Sequence, residues 1–286
     1  MLAVTASDDY TSTPAVPAPA LFDLAGKTVL ITGATRGIGA ACAKALAQSG
    51  ATICLAVRPP PQDQPIEPPS FISHSLREIH ASLQNPSSPA PDVHVLPCDL
   101  GSSEDVKALV PAALARMGSI DILVNCAGIQ RRAKAEEFSE QDWDDVIQTN
   151  LKSIFLLSQA AARHMLPRHS GKIINFCSLL TFQGGLTVPA YAAAKGALGQ
   201  LTKAFSNEWA KEGIQVNAIC PGYIATDMNE ALLKNPTRLR QISERIPAGR
   251  WGTPEDFAGP VVFLASKASM YVNGELLVVD GGWMGR

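Results

Sequence analysis

Tyr191 and Lys195 stand four residues apart in the run Tyr-Ala-Ala-Ala-Lys, and Ser178 lies thirteen positions before the tyrosine. On a helix, that step places the two side chains on one face, one above the other. An ammonium held beside a phenol favours the phenolate form. A phenol in that setting can pass a proton to or from a carbonyl oxygen near neutral pH. A serine hydroxyl on the same oxygen would stabilise the charge that develops there. A Tyr-x3-Lys step also arises by chance on solvated helices, so its meaning depends on the elements that position it.

Those elements alternate. From residue 21 onward, short apolar runs and amphipathic stretches follow one another, the pattern of a parallel sheet covered on both faces. The apolar runs predict strands over 27–32, 52–57, 92–96, 120–125, 172–176, 215–219 and 275–279. Helices are expected over 38–49, from Ser103, from Ser139 toward His164, and from Thr253, where a threonine N-cap precedes Pro254, Glu255 and Asp256. All strands continue one βαβ series without an internal repeat. The expected fold is one α/β domain over 21–286, a Rossmann-like doubly wound fold with a seven-stranded parallel sheet flanked by helices. Residues 1–20, rich in Ala, Pro, Ser and Thr, are expected to form a disordered tail. The segment 59–91 breaks the rhythm with repeated prolines and reads as a surface insertion, with 73–83 its one candidate helix.

Composition narrows the class. The net charge of −2 and pI near 6.2 provide no basic field for nucleic acid. Hydrophobic residues make up 46% and mean hydropathy is +0.08, as a well-buried core requires. No apolar run reaches the ~18 residues that span a membrane, and the N-terminus, with Asp8 and Asp9, lacks a secretory pattern. The six cysteines stand singly and read as reduced, buried residues of a cytoplasmic protein. The five histidines show no metal-ligand spacing, so no metal is expected.

The first strand runs into Thr32-Gly33-Ala34-Thr35-Arg36-Gly37-Ile38-Gly39 and then an Ala-rich helix. Glycines there permit a tight turn and close backbone approach to a pyrophosphate, while the helix N-terminus offers N–H groups with partial positive charge. The spacing is G-x3-G-x-G rather than G-x-G-x-x-G, yet the strand–glycine–helix context predicts a dinucleotide site. At the end of the second strand an acid would bond both adenosine ribose hydroxyls and repel a 2′-phosphate. Val57-Arg58 stands there instead, and Arg36 adds a cation from the loop. A guanidinium pairs with phosphate through two hydrogen bonds, so NADP(H) is favoured, with NAD(H) the alternative.

Taken in order, the TGATRGIG loop, Asp99, Asn125-Cys126-Ala127-Gly128, Asn150, Ser178, Tyr191, Lys195, and Pro221-Gly222 followed by Thr226 resemble the short-chain dehydrogenase/reductase family. The resemblance covers 24–286, with Cys126 replacing the second asparagine usual in that family's NNAG turn. It implies Asp99 near the adenine ring and Asn125, Ala127 and Gly128 supporting the sheet beside the cofactor. It also implies that Asn150 holds a water of the proton relay, that Lys195 binds the nicotinamide ribose, and that Thr226 lies near the nicotinamide amide. Leu100, Pro221, Gly222 and Ile224 are expected to line the cofactor, together with Tyr191 and Lys195. In that reading Tyr191 is the acid/base, Ser178 stabilises the carbonyl oxygen, and a homotetramer forms through the helices around 142–164 and 190–212.

Several stretches are similar to sugar-acid dehydrogenases acting on 2-dehydro-3-deoxy-D-gluconate or 2-deoxy-D-gluconate, among them 127–132, 137–146, 178–185, 207–211, 245–252 and 280–283. A substrate carboxylate wants a cation, and Arg131 or Arg132 follows the fourth strand at its C-terminal end, where ligands bind in such sheets. Salt bridging is the other reading of these arginines. Gln183, five residues past Ser178, is placed to bond a sugar hydroxyl. The polar stretch 224–250 resembles the substrate lid of the family. A ketoreductase acting on a cyclic or polyketide-type ketone is the alternative activity, and a non-catalytic dinucleotide sensor is the alternative class.

Overall fold

Alternation along the central strands decides the layering. In the strand Thr28–Thr32 (β1), Val29 and Ile31 enter one buried cluster while Leu30 enters another. The next strand, Thr52–Val57 (β2), divides in the same way, with Ile53, Leu55 and Val57 on one side and Cys54 and Ala56 on the other. A strand buried on both faces needs helices on both faces, and parallel neighbours need crossovers to connect them.

A computed structural model describes residues 16–59 and 92–286. Most of the expected tail, and all but the first residue of the expected insertion with its candidate helix at 73–83, lie outside the described residues. The remaining strands are Val93–Pro97 (β3), Ile122–Asn125 (β4), Gly171–Phe176 (β5), Ile214–Pro221 (β6) and Leu276–Val279 (β7). They form one parallel sheet in the order β3-β2-β1-β4-β5-β6-β7. The order reverses between β1 and β4, which opens a crevice at the C-terminal ends of the strands.

The helices are Gly37–Gln48 (α1), Ser103–Met117 (α2), Glu140–Ile147 (α3), Ser153–Met165 (α4), Pro189–Trp209 (α5), Glu230–Leu233 (α6), Pro236–Arg245 (α7) and Ala258–Ala265 (α8). Phe257, Val261 and Leu264 cover one face together with Leu46 of α1. Leu109 of α2, Leu157 and Met165 of α4 and Phe205 of α5 cover the other. The single helix expected from Ser139 toward His164 is instead α3 and α4 joined by a π-helical turn at Gln148–Lys152. A short 3-10 turn, Ala18–Phe22, straddles the boundary expected between tail and domain. Among the described residues, no helix is long and apolar enough to cross a membrane.

At the N-terminal ends of the strands, Asp121 ties β1 to the end of α4. Its carboxylate accepts from the Thr28 backbone N–H and hydroxyl, each at 3.1 Å, and from Arg168. Arg168 also donates to the Ile120 carbonyl at 3.2 Å. Burial pushes the Asp121 carboxyl up, but the Arg168 guanidinium and the Thr28 amide outweigh it and hold the group below its ordinary value. A depressed native value stabilises the fold above the unfolded carboxylate range near ~4 and is lost as pH falls through the native value. Asp121→Asn is therefore expected to cost about 1–3 kcal/mol in urea denaturation at pH 7. That gap should begin to narrow below pH ~4, where the unfolded carboxylate protonates, and close only as pH falls through the lower native value; an equal gap at acid and neutral pH would show that the charge contributes nothing.

Candidate active site

The β1–α1 turn fixes one wall of the crevice. Gly33 takes φ 73°, and a Cβ there would sit 2.6 Å from the Ala127 Cα. A Cβ on Gly39 would meet the Gly33 carbonyl oxygen at 2.2 Å. Only glycine permits this approach of the first turn of α1 to the strand ends. Arg36 occupies the N-cap of α1 in extended conformation and makes no side-chain capping bond. The Arg36 side chain thus leaves the first-turn N–H groups beside the crevice, where a pyrophosphate site requires them.

The crevice is a cleft of about 1910 Å³. It is lined by Gly33, Thr35, Arg36, Gly37, Ile38 and Gly39 from the loop, Arg58 and Leu100 beyond β2 and β3, and Ala127 and Gly128 after β4. Ser178, Tyr191 and Lys195 line it further in, with Pro221, Gly222, Ile224 and Thr226 after β6. Arg131, Arg132 and Gln183 line the same cleft.

Three expected site residues do not line it. Asn125 is buried, donating to Asn175 Oδ1 at 2.9 Å and Ser158 Oγ at 3.3 Å. Asn175 continues to Thr202 of α5 at 3.0 Å, so this polar chain fastens α5 to the sheet. Asn150 sits in the π-helical turn, where its amide accepts from the Ile129 N–H and donates to the Ile129 carbonyl, both at 2.8 Å. The side chain thereby braces the turn after β4 against the π-helical turn. The Asp99 carboxylate accepts from the Gly101 N–H at 2.9 Å and lies 3.7 Å from Arg58, behind that cleft-lining side chain.

At the centre, α5 supplies Tyr191 and Lys195 one turn apart, with the ammonium 5.6 Å from the phenol ring centroid. Lys195 is buried and donates to the Phe176 carbonyl at the end of β5, at 2.5 Å. Two residues later, the Ser178 hydroxyl accepts from the Leu180 N–H at 3.2 Å, which leaves its own proton free to donate. Thr181 closes this corner, because its hydroxyl accepts from the Ser178 N–H and donates to the Lys195 carbonyl at 2.9 Å. Sequence reasoning missed the positioning role of Thr181; its place three residues after a strand-end serine, as in a capping turn, was the available signal. Between Ser178 and Tyr191, β-branched Thr187 takes φ 63°, a strained conformation at the cleft edge. Burial pushes the Cys98 and Cys126 thiols up to about 11 and about 12, so both line the cleft as neutral groups.

The arginines differ sharply in their partners. Arg131 is held by Asp142 at 3.1 Å and Asp145 at 3.6 Å, so its charge is engaged on α3, as the salt-bridge reading has it. Arg132 bonds the neutral Gln130 side chain at 2.7 Å. Arg36 pairs with Asp227 at 3.1 Å across the mouth of the cleft, and both side chains are exposed.

A family model described as enoyl-(acyl carrier protein) reductase matches residues 33–284. The chain is 48% identical over 267 residues to the 2-dehydro-3-deoxy-D-gluconate 5-dehydrogenase of Bacillus subtilis, covering 93% of this chain and 97% of that one. It is 42% identical over 264 residues to the gluconate 5-dehydrogenase of Gluconobacter oxydans, covering 92% and 97%. A solved gluconate 5-dehydrogenase from Burkholderia cenocepacia, in complex with NADP and tartrate, is similar at a TM-score of 0.82 and 40% identity, covering 93% of this chain and 98% of that one. With a family model matched over most of its length and relatives this similar, the chain belongs to the short-chain dehydrogenase/reductase family.

Proposed function

We propose that this protein is an NAD(P)-dependent oxidoreductase that interconverts a secondary alcohol and a ketone on a sugar acid of the gluconate type. One observation carries the reading: Tyr191, Lys195 and Ser178 converge on a cleft whose other end is a glycine cradle at a helix N-terminus. The curated relatives support the substrate class, since their names specify gluconate and 2-dehydro-3-deoxy-D-gluconate.

The chain's own residues fit a nicotinamide dinucleotide. Gly33, Gly37 and Gly39, with the first-turn N–H groups of α1, would hold the pyrophosphate. Arg58 and Arg36 would hold a 2′-phosphate, which favours NADP(H). Their present ion pairs, to Asp99 and Asp227, are exposed and are worth only about 0–1 kcal/mol, so a phosphate displaces them readily. The bound cofactor supplies or accepts the hydride. In the reduction direction Tyr191 gives its phenolic proton to the carbonyl oxygen, and Ser178 donates a hydrogen bond to the same atom. Lys195, fixed by the Phe176 carbonyl, provides the positive charge beside the phenolate that results. Arg132 and Gln183, which line the cleft, would bond sugar hydroxyls.

The same reading makes the protein a cytoplasmic homotetramer. Six free thiols suit a reducing compartment. Trp143 on α3 and Phe155 on α4 stay 41% and 37% exposed, apolar surface that a subunit contact would cover. Sizing in solution is expected to return four chains, and a monomer at micromolar concentration would refute the assembly.

Tyr191→Phe is expected to lower kcat by about 10²–10⁴-fold while cofactor still binds; near-normal turnover would remove Tyr191 from the mechanism. Wild-type kcat/KM should favour NADPH over NADH, and Arg58→Ala should lower the NADPH value by about 10- to 100-fold with little effect on NADH. A wild-type preference for NADH would overturn the cofactor assignment. A panel of keto sugar acids and cyclic ketones tests the substrate class, and activity confined to cyclic ketones would replace it with the ketoreductase alternative.

A further inference from the structure

The sugar-acid reading requires a cation for the substrate carboxylate, and the expected candidates are poorly suited. Arg131 already faces two carboxylates, and Arg132 is turned toward Gln130. Another arginine enters the cleft from the lid side. Arg245, the last residue of α7, has its guanidinium carbon 3.8 Å from the centroid of the Trp283 ring.

The ring beneath it is firmly placed. Trp283 is buried and packs with Leu179, Ile242 and Ile246, and the Tyr223 ring lies 4.6 Å away. Leu179 directly follows Ser178, and Tyr223 directly follows Gly222. The platform under Arg245 is therefore continuous with both loops that flank the reacting centre. Stacking occupies the face of a guanidinium and leaves its N–H edge free, in the fork geometry that matches a carboxylate. Among the described residues Arg245 forms no ion pair; Arg132 and Arg238, which line the cleft and also lack one, are held by glutamine amides instead of an aromatic face. Its position at a helix C-terminus favours a cation there.

We infer that Arg245, held over the Trp283 ring, binds the substrate carboxylate and sets the preference for sugar acids over neutral sugars. This assignment rests on the sugar-acid reading above. Trp283 is the positioning residue, acting through Arg245.

Steady-state kinetics of Arg245→Met and Arg245→Lys test the assignment. The probes are D-gluconate, 2-deoxy-D-gluconate and 2-dehydro-3-deoxy-D-gluconate, with the primary amide of whichever acid wild type turns over best. Wild type should favour the acid over its amide by about 10- to 100-fold in kcat/KM. Arg245→Met should raise KM for the acid by that factor, with kcat nearly unchanged and the amide unaffected. Arg245→Lys keeps the charge but not the fork, and should restore part of the preference. Cofactor titration and thermal melting confirm that the variants fold and bind NADPH. The inference is overturned if acid and amide KM rise together, if neither variant moves the acid KM, or if Arg132→Met rather than Arg245→Met abolishes the preference. Those outcomes leave the sugar-acid reading standing, whereas a wild type inactive on all three acids sinks both.

Discussion

The hydrogen bond from the Lys195 ammonium to the Phe176 carbonyl is the contact on which the site depends. A buried ammonium is costly unless it is bonded, and at the end of a parallel strand a carbonyl is available because the ladder stops there. That bond fixes α5 relative to β5. Tyr191 is set one turn before Lys195, and Ser178 two residues after Phe176, so one contact places all three groups. Thr181 repeats the tie from the other side, joining the Ser178 amide to the Lys195 carbonyl. The chain Asn125–Asn175–Thr202 holds the same helix to the sheet further along. The reacting groups therefore sit on rigid elements, with hydrogen bonds behind them, which is what proton transfer at a fixed oxygen requires.

The cofactor end depends on an absence of side chains. Gly33 lies against Ala127, and Gly39 against the Gly33 carbonyl, so β1, α1 and the turn after β4 come together where no Cβ fits. Both ends of the cleft meet at Gly128, where a Cβ would approach Asn150 Oδ1 at 3.3 Å and Lys195 Nζ at 3.9 Å. The π-helical turn around Asn150 serves this junction by letting one side chain reach both backbone groups of Ile129.

What could be read in advance follows physical range. The seven strands were legible because burial on both faces forces continuous apolar runs, and their ends differ from expectation by no more than a few residues. Tyr191, Lys195 and the glycine loop were legible because their meaning lies in local spacing. The π-helical turn was not, since it preserves the apolar pattern of the helices it joins. Asp99, Asn125 and Asn150 matched family positions, but their side chains bond backbone or buried amides, a choice made by tertiary contacts. Arg131 and Arg245 were indistinguishable by type. Only the structure shows two acids beside one and an indole beneath the other.

That difference in partners sorts the cations of the cleft by the anions they can serve. A phosphate monoester carries about −1.5 to −2 charge near neutral pH, more than one carboxylate. It can displace Asp227 from Arg36, or Asp99 from Arg58, with a net gain, because those pairs are exposed and weak. A substrate carboxylate carries a single charge and would merely exchange one ion pair for another. It needs a cation whose charge is not already compensated but whose geometry is already fixed. An aromatic face meets both conditions, because it orients a guanidinium without neutralising it. The cleft thus separates its ligands by charge, with the dianion directed to the arginines that have carboxylate partners and the monoanion to an unpaired arginine that an aromatic face holds in place.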